Sequence, residues 1–359
     1  MISLARYVFV LFLLSLLASS AAAQTTATED CPASQFQEWG AIGVVAPGAA
    51  NNLRAEPSPS AARIGRMKAG TVFRVRYQTA RCAEGYLWIE VETLSLSGWT
   101  VERALDDDKP FLIPYEAPEP ELVSSLAEDG SLLVEGGGVR FVVPAALEIA
   151  EVWMAVQIGL FGDVMSAQPS SLVFIFLNAE ERRRGAIEVY PFAVSDATYA
   201  YWEWATDFPM LLDEQPPLLE YAARNRMPQL PIAGVAALFG GAPIYAPLAD
   251  GPGLRYITFF AQDYVIFTAE MGYTYLYRGL TADRDFLIAG EFGVRVPAST
   301  IPGAVNRGDD SAYSAYLRRF EANLAAQPTS AFTPDLALYD AIFASLELTD
   351  AAALLARLP

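Results

Sequence analysis

The chain has 359 residues, 53% of them apolar and 12% aromatic, enough length for two domains and enough apolar content to exclude a mainly disordered chain. Its 42 acidic residues against 24 basic ones give a net charge of −18, which argues against nucleic acid and anionic membrane surfaces as partners. With no histidine anywhere, histidine-dependent triads, the commonest zinc sites and the usual general base near neutrality are excluded.

The opening segment, "MISLARYVFVLFLLSLLASSAAAQ", sets a basic Arg6 before an apolar run from Tyr7 to Leu17 and ends on Ala21, Ala22 and Ala23. That order predicts an export signal over 1–23; the alternative is a leader retained as an N-terminal membrane anchor. Cleavage removes Arg6 and no acid, which takes the net charge from −18 to −19. No apolar-small pattern of a lipid-attachment site precedes Cys31, and no later segment is apolar for long enough to span a bilayer. A secreted or cell-envelope location is therefore expected. In an oxidising compartment the two cysteines, Cys31 in the segment 24–40 and Cys82, read most simply as one disulfide.

Residues 41–104 read as short strands joined by turns. "GAANN" and "EPSPS" carry turn chemistry, and "TVFRVRY" alternates Phe73, Val75 and Tyr77 with Val72, Arg74 and Arg76. "YLWIEVE" alternates again, with Leu87, Ile89 and Val91 inward and Trp88 and Glu90 outward. "SGWTVE" sets Trp99 and Val101 on one face, and Trp99 is assigned to the core. Several strands in so short a stretch, without a helical period, predict a small all-β, partly open barrel. Between Ala41 and Glu102 seven basic residues face five acidic ones, so a mildly basic module precedes a strongly acidic remainder.

The run "NLRAEPSPSAARIGRMKAGTVFRV…GYLWIEVE…SGWTVE" resembles the bacterial SH3-like (SH3b) domain. Leu53-Arg54, the Pro57-Ser58 turn, Ile64-Gly65, Gly70-Thr71 before a strand and the terminal Gly98-Trp99 carry the resemblance, in the order of that family. It implies a targeting module of an exported protein that binds cell-wall peptides or glycans. The two cysteines lie outside the general pattern and resemble an exported subgroup that carries a long downstream domain.

Residues 105–130, "LDDDKPFLIPYEAPEPELVSSLAEDG", are rich in proline and acid and read as a semi-rigid linker. Asp106, Asp107 and Asp108 point alternately apart on an extended chain, so they read as a solvated charge run and not as a metal site.

Residues 131–359 read as one α+β domain, a mainly antiparallel sheet covered by helices. "GVRFVVP", "SLVFIFL", "GAIEVYPF", "GLRYITFFAQ", "YTYLYRGL" and "DFLIAGEFGV" are strands, the last two joined by a hairpin around Thr281 to Arg284. Helices are expected over Ala197 to Leu212, with Pro209 breaking or kinking it, and over Pro217 to Arg226. "DDSAYSAYLRRFEANLAAQP" begins with helix-starting acids, and "FTPDLALYDAIFASLEL" offers Thr333 as N-cap with Pro334 at the first helical position. The stretches "FTPDLALYDAIFASLE", "GLRYITFFAQ" and "YLYRGLTADRDFLIA" resemble an uncharacterised module that follows SH3-like domains in exported bacterial proteins, and the element order resembles the PsbP-like α/β/α sandwich.

The sequence holds no Gly-x-Ser-x-Gly elbow, no phosphate loop and no dinucleotide fingerprint, so no cofactor is expected. "EERRR", Glu180 to Arg184, reads as a solvated hairpin turn, and half of "YAYWEW", Tyr199 to Trp204, as core. The binding candidate is an outward Trp88 with Tyr86 beside it and Arg74 and Arg76 on a neighbouring strand, a flat ring with a cationic rim. The expectation is a non-enzymatic envelope protein that binds a peptidoglycan peptide or glycan, or another protein, through that face. Two alternatives remain: a structural protein whose barrel packs on its own C-terminal domain, and a wall hydrolase working through two carboxylates.

Overall fold

The computed structural model describes residues 31–357 except 38–39, 77–79, 94–95, 108, 117–120, 158–169, 193–202, 225–226, 229–235 and 307–308. The leader, Tyr77, Asp108 and residues 199–202 thus lie outside the described residues. The chain divides into two compact units, the body of the first ending at Pro114 and that of the second beginning at Tyr115.

The first unit is built on β1 (Ile42–Val45), β2 (Ala50–Arg54), β3 (Arg63–Lys68), β4 (Val72–Val75), β5 (Arg81–Ala83), β6 (Tyr86–Glu92), β7 (Ser97–Ala104) and β8 (Leu112–Pro114). These form one sheet in the order β3-β2-β7-β6-β4-β1-β8, with β5 paired to β6. Leu53, Met67, Phe73, Val75, Leu87, Ile89, Val91 and Leu112 are buried, the apolar half of each period-two pattern. Cys31 and Cys82 form a disulfide, which fixes the N-terminal segment to β5. Around Cys31 the chain is stitched further. The buried Glu102 carboxylate accepts from the Ser34 hydroxyl at 2.5 Å and from the Gln35 N–H at 3.1 Å. Arg103 donates to the Ala33 carbonyl at 2.9 Å.

In the second unit, β9 (Leu122–Leu126), β10 (Leu132–Gly136), β11 (Val139–Val143) and β21 (Glu347–Leu348) form a four-stranded sheet in the order β21-β11-β10-β9. A seven-stranded antiparallel sheet runs β12 (Glu151–Gln157), β13 (Ser171–Leu177), β14 (Arg183–Pro191), β20 (Phe286–Val294), β19 (Tyr273–Leu280), β17 (Gly253–Thr258), β16 (Gly241–Tyr245). The stretch expected to be linker therefore contains β8, in which Pro114 pairs with Gly43 of β1, and β9, which pairs with β10.

The expected α+β domain with a sheet covered by helices is corrected. Of the described residues 42% are strand and 19% helix, and they form sheets of eight, four and seven strands, a two-stranded ladder of β15 (Ala236–Ala237) and β18 (Phe260–Ala261), and five α-helices, a mostly antiparallel β fold. The physical reason lies in sheet against sheet burial: Phe141 of the four-stranded sheet meets Phe174 and Phe176 of the seven-stranded one, with ring centroids 5.1 and 5.8 Å apart. Apolar residues that sequence periodicity assigns to a helix-facing surface are thus partly consumed between strands.

Local expectations fare unequally. The hairpin turn falls between β19 and β20, with Arg284 at φ 64°. Helix Glu203–Glu214 runs through Pro209, which neither ends nor breaks it, and a shorter helix follows over Leu218–Arg224. Helix Asp310–Ala325 is capped by Asp309, whose carboxylate accepts from the Ala312 N–H at 2.9 Å. Thr333 is not an N-cap, because its backbone bridges both ways to Arg295; Asp335 caps helix Leu336–Ala344 in its place. Phe343 of that helix stacks on Tyr277 with centroids 3.7 Å apart. Gly290 permits this approach, since a Cβ there would stand 2.1 Å from the Phe343 ring.

Candidate functional site

The four residues expected to form the binding face are placed differently from one another. Trp88 is only 1% exposed, its indole N–H donating to the Ala83 carbonyl at 3.1 Å. Tyr86 meets it edge-on at 6.3 Å and is half-buried. Arg76 pairs with Glu90 at 3.4 Å, and Arg74 is half-buried. The outward Trp88 is therefore corrected. Alternation assigns a strand residue to a face, but β5 pairs alongside β6 at Arg81↔Trp88, and burial depends on what covers the face.

Trp99, assigned from sequence to the core, is half-exposed, whereas Trp88 is buried. Inward positions on β7 go to Gly98, Thr100 and Glu102, which turns Trp99 to the other face. Gly98 is required by close approach: a Cβ there would lie 2.7 Å from the Arg54 carbonyl and 2.7 Å from Ile64. Trp99 lies directly across from Arg54 on β2, and Arg54 from Arg63 on β3. The Arg81 guanidinium sits 5.2 Å from the centre of the Trp99 ring, within cation–π range. Arg54 donates to the Ala61 carbonyl at 2.6 Å, which holds its guanidinium in place. None of Arg54, Arg63 and Arg81 makes an ion pair among the described residues. An indole with three arginines around it offers a stacking surface and bidentate donors for carboxylate or phosphate oxygens. The Gly98-Trp99 dipeptide is the signal in the sequence, but its alternation leaves open which face is inward, and the structure turns Gly98 in and Trp99 out.

A second constellation lies in the seven-stranded sheet. Arg278 is 2% exposed; its guanidinium donates to the Tyr277 carbonyl at 2.7 Å and pairs with Glu291 at 3.1 Å. Ala289 of β20 lies opposite both Arg278 and Glu188, so all three share a face of the sheet. The Tyr190 hydroxyl donates to the Glu188 carboxylate. Burial pushes Glu188 above the ordinary carboxylate range and nearby Glu291 adds to the rise, while Arg278 and Arg183 offset part of it. The folded chain thus holds a proton that the unfolded chain releases near the ordinary value of 4.5, and Glu188 costs stability as pH rises from there through its raised pKa. Glu188→Gln, permanently neutral, is expected to flatten that decline in urea midpoints measured across the acidic range. An unchanged slope would contradict this assignment.

On the opposite face Arg255, also 2% exposed, pairs through Nε with Asp340 at 3.4 Å, and the Tyr275 hydroxyl donates to the same carboxylate at 2.7 Å. Both arginines sit inside strands that otherwise read as apolar, "GLRYIT" and "YTYLYRGL". Of "EERRR", Glu180 to Arg182 form an exposed turn, with Glu180 and Arg182 4.0 Å apart, while Arg183 and Arg184 already belong to β14. Among the described residues no group of histidine, cysteine, aspartate or glutamate could hold a metal ion, and no helix is long and apolar enough to cross a membrane. No protein-family model, curated protein or solved structure matches the chain.

Proposed function

We propose that this is an exported, non-enzymatic envelope protein whose first unit acts as an SH3-like targeting module and binds a carboxylate-bearing wall component. The observation that carries the reading is Trp99, half-exposed beneath the Arg81 guanidinium and in register with Arg54 and Arg63. A flat ring with a cationic rim suits stacking against an apolar or sugar face while the guanidiniums take carboxylates, as a peptidoglycan stem peptide presents them. The disulfide supports an oxidising, extracytoplasmic compartment. The net charge of the whole chain, −18, makes a local cationic patch more selective, because only a ligand reaching that patch escapes general repulsion.

Tyr86 and Arg76 serve this reading as secondary contacts, whereas buried Trp88 takes no direct part in it. Cosedimentation of the leaderless chain with purified peptidoglycan tests the reading. Arg81→Ala is expected to weaken retention several-fold, and raising the salt concentration should do the same to the wild type. Retention indifferent to both would remove the electrostatic half of the proposal.

A further inference from the structure

We propose that the first unit takes an extended acidic peptide as an added strand along the free edge of β3, a site apart from the Trp99 face. β3 stands at one end of its sheet, paired on one side to β2 and on the other to no described strand. Alternate residues of such an edge strand turn their N–H and C=O groups away from the sheet. Among the described residues, no backbone group from Arg63 to Lys68 makes a hydrogen bond beyond the ladder with β2. The edge is also open, since Arg63, Ile64, Arg66 and Lys68 are all exposed.

The side chains of β3 select the partner. Gly65 and Met67 lie opposite Leu53 and Asn51, which are buried, so these positions face inward and Arg66 and Lys68 face out. A register shift at Leu53 and Arg54 leaves Ile64 as the extra residue of a bulge and sets Arg63 opposite Arg54. Neither β2 nor β3 contains an acidic residue, and Arg63, Arg66 and Lys68 make no ion pair among the described residues. The edge therefore presents one sign of charge beside unpaired backbone.

That combination disfavours a second copy of the chain, because β3 laid antiparallel on another β3 sets cation against cation, and like charges directly opposite destabilise a strand pair. It favours an acidic strand. Arg66 and Lys68 are two residues apart, about 6.8 Å along the strand, and an extended peptide repeats its side chains on one face at the same interval. Carboxylates at alternate positions of the peptide then fall opposite the two cations while its backbone completes the hydrogen bonds of the edge. The residues between them fall on the side of Met67, where small or β-branched side chains fit. Arg63 is left out of the site because it is in register with Arg54 and the Trp99 face, so the inference does not depend on wall binding there.

Fluorescence anisotropy of a labelled peptide of four Glu-Thr repeats, titrated with the whole leaderless chain, tests the site. Saturable binding is expected, weakened about tenfold by Arg66→Glu with Lys68→Glu, both exposed positions. Arg66→Ser with Lys68→Ser, which adds no acid, should weaken it in the same direction. Of two further peptides, N-methylated at every Glu or at every Thr, one should bind and the other fail, since a strand offers only one row of its amides to an edge. Trp99→Ala should leave the affinity unchanged, which tells failure of this site from failure of the wall-binding reading. Absence of binding, equal affinity of the two methylated peptides, or binding indifferent to both double replacements overturns the proposal.

Discussion

Arg255→Met is expected to lower the unfolding free energy of the second unit by about 3–5 kcal/mol, the cost of leaving one member of a buried ion pair uncompensated. Arg255 and Asp340 are 3.4 Å apart, with side chains 3% and 22% exposed, and Arg255 also donates to the Ala242 carbonyl. Burial pushes the Asp340 carboxyl above the ordinary carboxylate range, and Arg255 and the Tyr275 hydroxyl offset part of that rise. Take the arginine away and the carboxylate must take up a proton or drag water inward. Asp340→Asn should cost less than Arg255→Met, since the amide can still accept from Tyr275, but it strands a buried guanidinium. The double replacement Arg255→Met with Asp340→Leu should recover most of the loss, because an apolar pair of similar volume removes both desolvation costs at once. Urea denaturation followed by far-ultraviolet circular dichroism decides it, and single replacements that each cost under about 1 kcal/mol would show that the pair is not the anchor described.

Loss of the Cys31–Cys82 disulfide should have an effect of similar size confined to the first unit. Its cysteines are 51 residues apart in sequence, and closing a loop of that length is worth on the order of 4 kcal/mol in the chain-entropy model. More than entropy is at stake, since the bridge holds down the strand of contacts that Ser34 and Gln35 make to the buried Glu102. Once Cys31 is released, that segment can detach and leave Glu102 buried without its donors. In Cys31→Ser with Cys82→Ser, the first unit is expected to unfold at a markedly lower urea concentration while the second keeps its midpoint. Alkylation of the unreduced wild type should label neither cysteine. A first unit equally stable without the bridge would contradict the role assigned to it.

These features were legible in the sequence to very different degrees. A disulfide between two lone cysteines follows from the export signal that the first residues predict, and the hairpin at Thr281 to Arg284 from turn residues between two apolar strands. Helix Asp310–Ala325 announced itself by an acidic start and a regular apolar face. Trp88 and Trp99 show where such reasoning stops. Period two gives two faces and does not say which one is covered, and a neighbouring short strand such as β5 or a glycine such as Gly98 decides it through contacts distant in sequence. Thr333 failed as a cap for a similar reason, its backbone being taken by Arg295. The groups around Glu188 come from three strands spread over a hundred residues, so no local motif could unite them. The arginine within "YTYLYRGL" was the available signal: a charge inside an otherwise apolar strand needs a buried partner.

In the proposed function, the Trp99 face of the first unit is where the chain meets the cell wall. Cosedimentation of the leaderless chain with purified peptidoglycan, run in parallel for the wild type, Trp99→Ala and Trp153→Ala, tests it most directly. The wild type and Trp153→Ala, which replaces an exposed side chain of the second unit, are expected to sediment with the wall, and Trp99→Ala, folded by circular dichroism, to stay in solution, a loss of at least tenfold. A wild type that fails to sediment, or a Trp99→Ala chain that sediments like it, would overturn the proposed wall binding through Trp99.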